Sequence, residues 1–231
     1  MNLGTKIEIK FTSEIIDERD GFVVFYKPGG LLTHPANRNN EEASLLDHLL
    51  FIHPEIKDWG EKGREGIVHR LDKPTSGILL CAYEETVYKS LKHQLSNRNI
   101  KRGYFAFVEN KAESTKGKID APIGIDPRRR GKKKVVKGGR SSVTEYKVIS
   151  STDAHSILDI NLITGRTHQI RTHLSYIGNP VINDTLYGAS SNKEIPDSTI
   201  GLHAYRLDFK HKGRDYSYEH PLPDYLENLY K

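Results

Sequence analysis

Strand-like and helix-like segments are mixed along this chain without regular alternation. A doubly wound parallel sheet needs the two to take turns, so the order predicts an α+β fold with a largely antiparallel sheet. The strands are read from period-two patterning and short apolar runs. Lys6–Phe11 alternates Ile7 and Ile9 with charged residues, and Phe22–Tyr26 is apolar up to the turn Lys27-Pro28-Gly29-Gly30. Ile78–Ala82 reads as a buried strand. Lys101–Glu109 puts Tyr104, Ala106 and Val108 on one side and Phe105 and Phe107 on the other. Val143–Ile149 and Ser156–Leu162 are further strands, and Leu202–Lys210 pairs with Asp215–Glu219 as a hairpin across Lys212-Gly213-Arg214. Helical spacing predicts helices over Ala43–Ile52 with Ser44 as cap, over Glu84–Asn97, over Thr167–Ile177 with Gly178 as its stop, and after Pro223.

A length of 231 residues is enough for one large domain or two intimately packed halves, and a single domain over residues 1–231 is expected. No apolar run approaches the roughly 18–20 residues of a membrane span, and the first residues lack the segments of a secretory signal. Cys81 is the one cysteine, so neither an intramolecular disulfide nor a Cys-rich zinc site is available. These features predict a cytoplasmic protein. The net charge of +5 and pI of about 9.1 favour polyanionic partners, and the distribution of that charge says more than its sum.

Three segments carry candidate chemistry. In Gly66–Gly77 a carboxylate, Asp72, sits between Arg70 and Lys73 in a loop held by Pro74 and Gly77. Rigid loops present reactive groups, and nearby cations keep a carboxylate ionised as a nucleophile or base must be. A surface salt bridge explains the same residues. In Thr164–Leu174, Arg166 and Arg171 lie at the start of a helix, where anions are favoured. His168 and His173 are five apart, which suits a metal site poorly and local packing or hydrogen bonding better. The third segment, Asp126–Arg140, holds Arg128, Arg129, Arg130, Lys132, Lys133, Lys134, Lys137 and Arg140. Such a block reads either as a solvated, mobile loop or as an arm that orders on a nucleic-acid backbone. Trp59 reads as a packing residue before a stacking platform, and Cys81 as inert core.

Taken together, these strings resemble the RluA-type family of RNA pseudouridine synthases. The resemblance rests on His69-Arg70-Leu71-Asp72 with Thr75-Ser76-Gly77, then on Gly165–Arg171 with His173-Leu174, Gly178, Pro180 and Leu186-Tyr187-Gly188. Lys27-Pro28-x-Gly30-Leu31, His34-Pro35, the tyrosine of Lys101–Val108, Thr144-Glu145-Tyr146 and Leu202-His203-Ala204 follow the same order, across about residues 20–223. The departures are Gly29, Gly103 and Ile182-Asn183-Asp184, which bear on local loop geometry.

The resemblance implies a bent, mostly antiparallel mixed sheet with flanking helices and a central catalytic cleft. It implies isomerisation of uridine to pseudouridine in ribosomal or transfer RNA, with base flipping and without cofactor or metal. Asp72 corresponds to the catalytic aspartate, Tyr104 to the tyrosine that stacks on the base, and Arg171 to the arginine that pairs with the aspartate. Arg70 corresponds to an arginine that fills the space left by the flipped nucleotide. RNA contacts are further expected from Arg166, His168 and the basic residues Arg128, Arg129, Arg130, Lys132, Lys133 and Lys134. Many relatives carry a small RNA-binding domain at the N-terminus. Only about 20 residues precede the first matching strand here, so a stand-alone catalytic domain is expected, and a monomer for want of any coiled-coil or repeat signal. Two rival readings are a non-catalytic RNA-binding module that kept the fold, and a hydrolase using Asp72 with His69.

Overall fold

The computed structural model describes residues 11–35 and 42–230. Of the strand expected over Lys6–Phe11, all but Phe11 lies outside the described residues.

The chain enters through β1 (Glu14–Arg19) and β2 (Phe22–Lys27), an antiparallel pair with a register shift between Ile15 and Asp17. Helix α1 (Leu45–Ile52) follows, its start fixed by Ser44, whose N–H and Oγ both donate to the Asp47 carboxylate. A short 3-10 turn over Pro54–Asp58 leads through the Asp72 loop into β3 (Ser76–Ala82), buried along its whole length. Then come α2 (Glu85–Ser96), β4 (Lys101–Glu109), β5 (Lys116–Asp120), β6 (Ile123–Ile125), β7 (Lys133–Val135), β8 (Val143–Ser151) and β9 (His155–Leu162). Helix α3 (Gln169–Tyr176), β10 (Leu202–His211), β11 (Arg214–Glu219) and α4 (Asp224–Tyr230) complete the fold.

Nine of these strands form one sheet in the order β1-β2-β3-β10-β4-β9-β8-β5, with β11 also on β10. Every strand pairing is antiparallel except the short contact of β3 with β10, where His203 and Ala204 face Ser76 and Gly77. Beyond that point β3 departs, and β11 takes the same edge of β10 from Arg206 to His211. The branch depends on Gly77. Its φ is +125°, and a Cβ there would collide with the backbone of Ala204. The expected hairpin is present, and its two-residue turn at Lys212 and Gly213 has positive φ at both residues (48° and 75°).

The sheet is covered on both faces. Val23, Phe25, Leu79, Cys81, Ala106, Leu158 and Ile160 pack with α1 and α3 on one face, and Phe22, Val24, Ile78, Leu80 and Leu207 pack with α2 on the other. Phe107 joins Ile157, Ile182, Ile195 and Leu226 in a smaller cluster under α4. The two faces expected for β4 hold, with Tyr104, Ala106 and Val108 in the larger cluster and Phe105 and Phe107 in the smaller one.

Two elements differ from expectation. Helix α3 begins at Gln169 rather than Thr167, because His168 takes a left-handed conformation with φ 57°. The basic block is not a bare loop. Lys133–Val135 pairs with Ile123–Ile125, and Ile123 also bridges to Arg140. The Asp126 carboxylate accepts from Arg128 N–H at 3.1 Å, and Tyr187 Oη accepts from Lys133 N–H at 2.9 Å. Local acceptors therefore hold the charged hairpin in place.

Candidate active site

The backbone on either side of Asp72 is pinned before the side chain makes any contact. Thr33 Oγ1 donates to the carbonyl of Leu71 at 2.8 Å and accepts from its N–H at 3.2 Å. Asp72 O accepts from Thr75 N–H at 3.0 Å, closing a turn. Lys27, fully buried, donates from Nζ to the carbonyls of Pro28, Leu31 and Lys73 at 2.9, 2.8 and 3.2 Å. Burial pulls its pKa down to about 7, while the charge of Asp72 pushes the other way. Lys27 thus ties the Lys27–Leu31 turn to the residue after Asp72.

Opposite this loop stands α3. Gln169 accepts from Thr164 Oγ1 at 2.7 Å and from Arg166 N–H at 3.1 Å, and it donates to Val143 O and Thr144 Oγ1, both at 2.9 Å. His173, fully buried, bonds Thr144 Oγ1 and Ala121 O, both at 2.9 Å. These side chains lock the helix to β8, so its arginine approaches Asp72 from a fixed frame. Arg171 Nη1 donates to Asp72 Oδ2 at 3.2 Å. Its Nε and Nη2 form a fork on Asp184 at 2.6 and 2.9 Å. The side chains of Arg171, Asp184 and Asp72 are 6%, 1% and 14% exposed. Burial opposes the charge on Arg171, but the bonds to Asp184 and the charges of Asp72 and Asp184 outweigh it and raise its pKa. One arginine faces two carboxylates, and the bidentate contact orients it.

These groups border a cleft of about 220 Å³ whose walls include Arg70, Asp72, Tyr104, Arg166, His168 and Arg171. The volume suits a single nucleoside rather than an extended strand. Tyr104, 4% exposed, comes from the middle of β4, and burial raises the pKa of its hydroxyl. Arg70 is exposed at the rim, and so is Arg166, whose Nε donates to Ser141 O at 3.2 Å. His168 Nε2 lies 4.0 Å from Asp72 Oδ1, and its Nδ1 meets Tyr187 Oη at 2.9 Å. Burial lowers its pKa, with Asp72 partly opposing. Arg128, Arg129 and Arg130 are exposed at the tip of the basic hairpin, and Lys132, Lys133 and Lys134 lie half-buried along it.

His69 does not join Asp72 as an acid–base partner. Its Nε2 accepts from the Leu80 amide at 3.1 Å, so the lone pair is taken, and full burial pulls its pKa down to about 3. The hydrolase reading loses its second group. No group of three or more potential metal ligands occurs among the described residues.

The fold brings Asp72 and Arg171 into contact and sets Tyr104 in the same cleft, as the sequence motifs imply. Sequence reasoning misses Asp184, which stands out only as an unusual turn residue, and the Lys27 and Thr33 clamps. It also misses Tyr187, although its ring lies under the Arg171 guanidinium at 4.9 Å and under Lys132 Nζ at 5.4 Å.

The sequence model of a family described as RNA pseudouridylate synthase matches residues 21–176. A ribosomal large subunit pseudouridine synthase D of Neisseria meningitidis serogroup A is 42% identical over 228 residues, covering 94% of this chain and 60% of the relative. The protein of that name from Nitrosomonas europaea is 39% identical over 224 residues, with 94% and 64% covered. An uncharacterized RNA pseudouridine synthase of Bacillus subtilis is 36% identical over 224 residues, with 94% and 73% covered. The chain thus spans about 60–64% of the length of the two synthase D relatives. Among solved structures, human RNA pseudouridylate synthase domain containing 1 superposes with a TM-score of 0.73 at 23% identity, covering 91% of this chain and 84% of that one. Human RNA pseudouridylate synthase domain containing 4 does so with 0.71 at 24%, covering 92% and 90%. These two share the fold, and the sequence match across most of the chain identifies it as a member of the RNA pseudouridylate synthase family.

Proposed function

We propose that this chain isomerises specific uridines to pseudouridine in structured RNA, with Asp72 as the reacting carboxylate. The observation that carries the reading is the buried Arg171 fork, which presents the Asp72 carboxylate to a nucleoside-sized cleft also lined by Tyr104. In the reaction the N1–C1′ bond breaks, the uracil turns, a C5–C1′ bond forms, the C5 proton leaves to water and N1 takes up a proton, so that substrate and product are isomers. Nothing is oxidised or donated, so the residues present suffice without a cofactor. The target must leave its stack to reach a carboxylate in a cleft, so the base flips. Tyr104 supplies the stacking ring while the uracil is detached. Arg70, exposed at the rim, fills the gap left in the RNA.

Backbone affinity comes from Arg166, His168 and the basic hairpin with Arg128, Arg129, Arg130, Lys132, Lys133 and Lys134, through phosphate contacts that position without reading sequence. The names of the relatives make large-subunit ribosomal RNA the first substrate to test, and transfer RNA, expected from the sequence resemblance, is the second. We read the chain as one catalytic domain that acts as a monomer in the cytoplasm. Among the described residues no helix is long and apolar enough to cross a membrane. The test is tritium release from RNA labelled at C5 of uracil. Release by the wild type and none by Asp72→Asn is expected, and no release from any cellular RNA overturns the proposal.

A further inference from the structure

Arg102 has no place in the scheme above, and its surroundings are unusual for a nearly buried cation. It is 9% exposed and lines the cleft alongside Asp72, Tyr104 and Arg171. A guanidinium carries five N–H donors. Here Nε meets no acceptor, and Nη2 reaches only the Leu162 carbonyl at 3.4 Å. Among the described residues no carboxylate pairs with it. Asp72 and Asp184, the carboxylates of the site, are both engaged by Arg171. The neighbouring His69 is neutral, so it neither competes nor compensates. One whole positive charge in the cleft wall is therefore unspent.

Its placement is also built. Arg102 and Tyr104 lie two residues apart on β4, on the same face and about 7 Å apart along the strand. That is within the reach of one nucleotide whose base lies on Tyr104. Across from it, a Cβ on Gly165 would stand 2.7 Å from Arg102 Nη1, so the bare glycine leaves room for the guanidinium at the cleft wall.

Resting on the isomerase reading, we propose that Arg102 binds the phosphodiester flanking the target uridine and so fixes the flipped nucleotide in register with Asp72. A uracil carbonyl would satisfy N–H donors but leave the charge unbalanced, whereas a phosphodiester supplies both the planar pair of acceptors and one negative charge. The residue is a substrate-positioning group distinct from Arg171, which is saturated by protein carboxylates.

The test uses the whole chain with 15N-labelled arginine. The Nε–H resonance of Arg102, assigned by its loss in Arg102→Lys, is followed while uridine, uridine 3′-monophosphate and uridine 5′-monophosphate are added separately. The expected result is a shift with at least one monophosphate and none with uridine; which monophosphate acts tells which flanking phosphate is held. Arg102→Gln should weaken binding of that monophosphate at least tenfold and leave uridine binding unchanged. Gly165→Ala, which keeps the charge but crowds Nη1, should weaken it in the same direction. A shift of equal size with uridine, no response of Arg102 to either monophosphate, or unchanged monophosphate affinity in Arg102→Gln overturns the proposal. If Arg102→Gln does not fold, the wild-type titration and Gly165→Ala decide. No turnover enters these readouts, so the isomerase reading stands or falls separately on tritium release.

Discussion

Arg171→Ala tests the central geometric claim most directly. The substitution removes both bonds to Asp184 and the one to Asp72. Asp184, with its side chain 1% exposed, is then a buried carboxylate without its cation. Breaking one side of a buried pair typically costs about 3–5 kcal/mol. For a domain of this size each kcal/mol lowers Tm by about 2–4 °C, so a fall of roughly 6–20 °C is expected. Arg171→Lys should recover only part of this, since an ammonium cannot reproduce the fork. Arg171→Met combined with Asp184→Leu should recover more, because the cost lies in the orphaned charge rather than in lost attraction. Turnover follows a different logic. In the double variant the fold is restored but Asp72 is no longer held, and misplacement by about 1 Å costs roughly a hundredfold. Stability is read by thermal and urea unfolding and activity by single-turnover tritium release. An Arg171→Ala protein that melts within about 2 °C of the wild type, or a double variant with wild-type turnover, would refute the reasoning.

Asp72→Asn should abolish turnover while RNA affinity and Tm stay close to wild type, since the amide keeps the shape; clear residual turnover in the purified variant sinks the assignment. Tyr104→Leu should lose most turnover and keep much of its RNA affinity, because stacking is worth about 1–3 kcal/mol per base. Tyr104→Phe, which keeps the ring, should retain turnover, and equal rates in Leu and Phe variants would make Tyr104 a core residue only. Lys27 has a folded pKa of about 7 against an ordinary 10.5. Between those values the unfolded chain binds the proton and the folded chain does not, so this group makes stability rise with pH. Wild type should gain on Lys27→Met by up to about 1.4 kcal/mol per pH unit from about pH 7 to 9, as read by urea unfolding, and a flat difference would mean that the lysine stays charged. Replacing Lys132, Lys133 and Lys134 with alanine should weaken binding to all RNAs alike and flatten the salt dependence; superimposable plots of affinity against salt would exclude phosphate contact.

How much of this is legible in the sequence depends on what each residue's neighbours are in the chain. Strands β2, β3, β4, β9 and β10 are apolar enough to declare themselves, and the faces of β4 follow from alternation alone. Strands β1 and β5 lie at the two ends of the sheet and are mostly exposed, so they carry little apolar pattern to read. The β6–β7 hairpin is hidden for another reason: its charges dominate the composition, while its order comes from Tyr187, which lies 54 positions beyond Lys133. Asp184 is unreadable in the same way. Only the packing of the turn after α3 against the helix reveals that it orients Arg171. Lys27 looks like a turn residue, because the carbonyls of Pro28 and Leu31 are local but that of Lys73 is 46 residues away.

The contacts of Tyr187 bear on how binding and chemistry are joined. Its hydroxyl accepts from Lys133 N–H in the basic hairpin and meets His168 Nδ1 beside Asp72. Its ring lies within cation–π distance of both Lys132 and Arg171. A phosphate drawn to Lys132 therefore competes with a cation–π contact that is also part of the Arg171 environment. Tyr187 is thus one link from the hairpin to the catalytic pair, alongside the packing of β7 on α3. If RNA engages the hairpin as proposed, a shift there reaches Arg171 through Tyr187, whereas the backbone on either side of Asp72 is clamped separately by Thr33 and Lys27. On the proposed reading, binding at the hairpin and the setting of the Asp72 carboxylate are therefore coupled through Arg171, while the loop that carries Asp72 has supports of its own.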